Sequence, residues 1–153
     1  MRFIFAAAAA CCIIPLAAMA QDDDSPEARA VAARQGYMLM EAANMGPLSA
    51  MAKGDIPYDE ETAIRHAKNL AALGEYEVQM HFIDFTAEGE VEGSEALPKI
   101  WDNFDDFSKK HDDYAAAAAE APEGVKGGAQ NVASVVQKIG GTCKACHDQY
   151  RAK

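Results

Sequence analysis

Basic residues are scarce in this 153-residue chain: 14 Lys and Arg stand against 24 Asp and Glu, for a net charge of −10. That imbalance excludes the positive footprint of a nucleic-acid or anionic-membrane binder. Aromatics are few, with one Trp, and the alternating apolar pattern of β-strands is largely missing. Cysteine is rarer than its total of four suggests, because Cys11 and Cys12 fall inside an N-terminal apolar run. Beyond that run only Cys143 and Cys146 remain, enough for one short-loop disulfide or for different chemistry altogether.

The run itself, "MRFIFAAAAACCIIPLAAMA", has one Arg, a proline-broken apolar stretch and small residues at Ala18 and Ala20. This pattern predicts a secretory signal over residues 1–20, cleaved before Gln21, and hence an exported protein. A spanning helix needs about 20 apolar residues, more than this stretch offers. The expected mature domain, residues 21–153, is 133 residues long, suited to a single core. It carries a net charge of −11 once Arg2 is removed.

Gly and Pro punctuate this part at Gly46-Pro47, Gly54 to Pro57, Gly89 to Pro98 and Pro122 to Gly128. Between those marks the apolar spacing is helical. Ser25-Pro26-Glu27 opens a first segment that runs toward Lys53, with a kink expected at Gly46-Pro47. Asp59 caps a second through Phe82, with Ile64, Leu70 and Leu73 as its core stripe. A third starts near Leu97-Pro98 and places Trp101, Phe104, Phe107, His111, Tyr114 and Ala118 on one side, ahead of an alanine run that permits close packing. In the fourth, Val125, Ala129, Val132, Val136, Ile139, Cys143, Cys146 and Tyr150 form one seam. Four such segments predict an all-α fold, an antiparallel four-helix bundle. The acidic linker from Thr86 to Glu95 reads as a solvated loop.

Cys143 and Cys146 are three residues apart on the last helix, so both sulfurs point the same way. Thiols so placed can form thioethers to the two vinyl groups of one haem, and the adjacent His147 can then ligate its iron as the C-x-x-C-H signature. A thioredoxin-like pair would instead open a helix after a strand. Zinc would require four ligands, and His66, His81 and His111 show no paired spacing.

Four stretches, "ARQGYM" at Ala33 to Met38, "MAKGDIPYD" at Met51 to Asp59, "ALPKIW" at Ala96 to Trp101 and "GGTCKACHDQYR" near the C-terminus, resemble cytochrome c′, the class II c-type cytochromes. The resemblance covers essentially the whole mature chain. It implies a four-helix bundle, often dimeric through its first two helices, with one covalent haem c, His147 as proximal ligand and usually an empty distal side. It further implies that Arg34 and Gln35 approach a haem propionate, that Arg151 lies beside the proximal imidazole, and that Met38 faces the iron. Phe82 would then be a distal-pocket aromatic. One departure is local: Asp84-Phe85-Thr86 stands where relatives carry a Pro-Gly or Ala-Gly turn before a threonine.

Two functions follow. In the first, an apolar distal pocket without an evident polar donor admits nitric oxide or carbon monoxide, in a role of nitric oxide protection or electron transfer. In the second, the Met38 thioether is the sixth ligand of a low-spin, one-electron carrier whose acidic surface docks a basic redox protein. Met38 can equally fill space as a flexible apolar group. A peroxidase-like enzyme is disfavoured, because no distal acid-base pair is evident. Tyr37, Met40 and Met45 offer apolar surface for a homodimer.

Overall fold

The computed structural model describes residues 24–153, so the expected signal segment lies outside the described residues. Six helices follow in order: α1 (Pro26–Lys53), α2 (Glu60–Gly74), α3 (Lys99–Asp102), α4 (Phe104–Ala119), α5 (Ala121–Gly124) and α6 (Ala129–Tyr150). The long helices α1, α2, α4 and α6 form the bundle, with α1 against α2 and α6, and α4 against α2 and α6. Each start obeys local chemistry. Ser25 Oγ accepts from Ala28 N at 3.1 Å, with Pro26 at the first helical position. Asp59 Oδ1 accepts from Thr62 N at 2.8 Å. Helix α1 stops at Gly54, whose φ of 79° closes the end through bonds from its N–H to the Ala50 and Met51 carbonyls.

Two expected helix bounds need correction. Helix α2 ends at Gly74 rather than Phe82; the chain then makes a short 3-10 turn, Val78–His81, and leaves Phe82 just beyond it. The reason for a glycine there is contact, since a Cβ on Gly74 would sit 3.0 Å from Ala115 Cα of α4. The third segment breaks at Asn103, in a non-helical conformation with φ −138° and ψ 44°, which puts Trp101 on α3 and turns Phe104 outward, 38% exposed. Helix α1 runs through Pro47 without a break, as one helix, Pro26–Lys53.

The linker is also less solvated than its composition predicts. Thr86, Ala87 and Ser94 are buried, and the segment is stitched to the end of α6 by bonds from Leu97 N to Tyr150 O and from Ala152 N to Glu95 O. The larger core unites Leu48, Met51, Ala63, Ala67, Leu70, Tyr114, Ala117, Ala118, Ala121, Val125, Val132 and Ile139. A smaller one joins Ile100, Phe107 and Tyr150 with the half-buried Phe82, Trp101 and Cys146.

Candidate functional site

Beside the smaller core the helices part around a cavity of about 410 Å³. Its wall takes Arg34 and Met38 from α1, Phe82 from the loop, Phe107 from α4, and Cys146, His147 and Tyr150 from α6. A second space of about 60 Å³ shares Met38, Phe82, Phe107, Cys146 and His147 with the first and adds Cys143. The structure therefore brings both cysteines, His147, Met38 and Phe82 to adjoining spaces. Arg34, Gln35 and Arg151 line the larger one.

Cys143 and Cys146 are free and half-buried, and burial pushes each thiol up to about 11. They are held as neutral thiols facing space, without a disulfide between them. Burial, followed by the nearby Arg151 cation, lowers the His147 pKa. The neutral imidazole that results is the form able to ligate a metal.

Arg34 is buried, with Nη2 donating to Thr86 O at 2.9 Å and to Ser94 Oγ at 3.4 Å. Its Cζ lies 4.5 Å from the centre of the Phe82 ring. Nη1 is buried and has no partner. A buried guanidinium with an unspent donor at the cavity wall suits a carboxylate occupant. Together with two free thiols one helical turn apart and a neutral imidazole, this donor set fits a haem: Cys143 and Cys146 for the vinyl groups, His147 for iron and Arg34 for a propionate. Gln35 is exposed, and its Nε2 donates to Gly93 O at 2.9 Å, so part of this amide already holds the loop. Arg151 is exposed, its Nε 3.7 Å from Glu95 Oε2. Met38 is 38% exposed and borders both spaces.

Sequence reasoning missed several wall residues. Phe107, assigned to an ordinary core stripe, packs edge-on to Phe82 at 4.5 Å and to Tyr150 at 5.4 Å, forming part of the cavity wall. Tyr150 also donates to Asp106 Oδ2 at 2.7 Å, which ties the end of α6 to α4. Tyr37 is interior rather than available to a partner: its hydroxyl donates to Leu73 O at 3.0 Å. Glu41 was overlooked entirely. It is 9% exposed and lines the smaller space, with Oε1 buried and unpartnered. Its signal was its place seven residues after Arg34 and three after Met38, on the same face of α1. Of the other histidines, His66 pairs with Asn44 and His81 with Tyr76, whereas His111 lines the smaller space beside the two cysteines.

The family model described as Cytochrome C′ matches residues 29–151. A curated cytochrome c′ of Cereibacter sphaeroides is 39% identical over 139 residues, covering 91% of each chain. Among solved structures, cytochrome c′ from Rhodobacter spheriodes superposes with a TM-score of 0.79 at 38% identity, covering 83% of this chain and 98% of the other. The nitric oxide complex of the L16I mutant of cytochrome c prime from Alcaligenes xylosoxidans gives 0.69 at 27% identity, covering 85% and 98%.

Proposed function

This chain belongs to the cytochrome c′ family and so carries one covalently bound haem c; from that premise we propose that it is a periplasmic gas-binding protein, taking nitric oxide or carbon monoxide on the face opposite His147. The observation that carries the reading is the cavity of about 410 Å³ that has both His147 and Met38 in its wall. When bound, the haem would supply an iron able to take an imidazole and a small ligand and to change its charge by one electron. The chain's own residues set the rest. Cys143 and Cys146 fix the group in place, and His147 enters as a neutral base. Arg34 offers Nη1 to a propionate while Nη2 holds the loop through Thr86 and Ser94. Phe82 and Phe107 present an apolar wall that keeps bulky anions out.

A related protein has been solved as a nitric oxide complex, which supports the same ligand class here. Export rests on the signal pattern of residues 1–20; among the described residues no helix is long and apolar enough to cross a membrane. A homodimer would use the outer face of α1, where Leu39 and Met40 are 71% and 51% exposed. Pairing there fits an apolar surface that folding leaves uncovered.

The second reading, a one-electron carrier with Met38 as sixth ligand, rests on the same wall, since this thioether borders both spaces that His147 borders. Spectra of the purified protein separate the two. An open face gives high-spin ferrous protein that binds carbon monoxide, and Met38→Ala then leaves the resting spectrum high-spin. A low-spin resting spectrum that Met38→Ala converts to high-spin would overturn the open-face reading. Acid-acetone extraction tests the attachment: haem should stay with the chain in the wild type and leave it when Cys143 and Cys146 are both alanine.

A further inference from the structure

Four buried side-chain polar atoms lack a partner among the described residues: Arg34 Nη1, Glu41 Oε1, Gln79 Oε1 and Trp101 Nε1. Only the Glu41 atom belongs to the wall of the smaller space, where Met38, Cys143 and His147 also lie. Each neighbouring hydroxyl has spent its proton elsewhere. Tyr37 donates to Leu73 O and Tyr114 to Leu70 O, both at 3.0 Å, and Thr142 donates to Ile139 O at 2.7 Å. His111 Nε2 lies 3.3 Å from the Tyr37 hydroxyl, and Lys110 completes the charged groups around the space. The 3-10 turn contributes only Val78.

A buried polar group without a partner is costly, so such a carboxyl belongs where something polar will meet it. About 60 Å³ is room for one or two molecules the size of water, whose share of liquid volume is about 30 Å³. We propose that Glu41 is the hydrogen-bonding group of this cavity, donating its carboxyl proton to a small ligand held opposite His147. The inference rests on the open-face reading and corrects the expectation of a pocket without a polar donor. Burial raises the Glu41 pKa, outweighing the opposite pull of the neighbouring Tyr37 and Tyr114 hydroxyls, which favours the protonated form that can donate. A donor aimed at the outer atom of a diatomic ligand stabilises negative charge there. It therefore favours nitric oxide over carbon monoxide to a greater degree than the apolar wall would alone.

The test is the carbon–oxygen stretching frequency of the carbon monoxide complex of the holoprotein, measured across pH for the wild type, Glu41→Gln and Glu41→Leu. A donor draws electrons onto the ligand's oxygen and weakens that bond. The frequency should therefore shift upward in Glu41→Leu, and the ratio of nitric oxide to carbon monoxide affinity should fall. Glu41→Gln, which has the same shape and keeps an N–H donor, should lie between the two. Raising pH should shift the wild type upward as the carboxyl ionises and leave both variants unmoved. A Glu41→Leu frequency equal to the wild type at every pH would overturn the assignment while leaving the open-face reading intact. Wild-type protein that takes up no carbon monoxide would overturn both.

Discussion

Around Leu48, Leu70, Val132 and Ile139 the helices close on one another through alanine, whereas around Ile100, Phe107 and Tyr150 they stand apart along a cavity. The closed end owes its tightness to small residues: Ala63, Ala67, Ala117 and Ala118 are buried, and Gly74 lets α2 approach the backbone of α4 at Ala115. The other end is built from rings, a guanidinium and a carboxylic acid, which leave space and unspent hydrogen-bonding groups. One end thus carries the stability of the bundle. The other accepts unsatisfied groups, at a cost, so that a cofactor and its ligand have something to bind.

The largest expected effect breaks the closed end. Leu70 is fully buried among alanines that have no side-chain length with which to fill a hole. Leu70→Ala should cost about 2 to 5 kcal/mol, toward the upper part of that range, in denaturant unfolding of the holoprotein. A loss below about 1 kcal/mol would mean that the alanine layers can collapse inward and that the two ends differ less than their packing suggests.

A smaller effect is expected at Arg34, where the open end holds its own loop. Arg34→Ala removes the donor to Thr86 O and Ser94 and the cation over Phe82. It should destabilise by about 1.5 to 3 kcal/mol, the range for hydrogen bonds to charged groups. It should also lower the reduction potential, because a cation beside the haem disfavours the extra positive charge of the ferric state. An unchanged potential in Arg34→Ala would separate this residue from the haem and leave it a purely structural clamp on the loop.

How much of this contrast was visible in the sequence follows from the range of the interactions involved. Helix starts at Ser25 and Asp59 are fixed by contacts within three residues, and the seam of α6 by its own period, so both could be read directly. The C-x-x-C-H motif proposed to attach the haem stood out because it is local as well. The ends of α2 and the break at Asn103 were not, since Gly74 answers to Ala115 across the bundle and Phe107 to Phe82 and Tyr150. The linker looked solvated because six of its ten residues are acidic or glycine, yet Thr86 and Ser94 are drawn inward by Arg34, more than fifty positions away. Glu41 escaped for a related reason. A single acid on a helix reads as surface until the helices facing it are known.

The smallest effect sharpens the comparison at that acid and needs no gas. Burial raises the folded pKa of Glu41 above its ordinary value of 4.5. Between those two values the folded state holds a proton that the unfolded state has released, so stability falls as pH rises through that window and the deficit stays constant above it. Exposed carboxylates such as Asp59 and Glu60 have lowered pKa values and act in the opposite sense, toward acid. The informative quantity is therefore the difference between wild type and Glu41→Gln, in which those groups cancel. Starting from the ordinary carboxylate range, the wild type should lose stability relative to the variant as pH rises, with a slope of at most about 1.4 kcal/mol per pH unit for one proton. Denaturant titrations at half-unit pH steps would measure it. Parallel curves would mean that Glu41 ionises in the folded protein as it does in water, and that the open end tolerates its charge with Lys110 lining the same space.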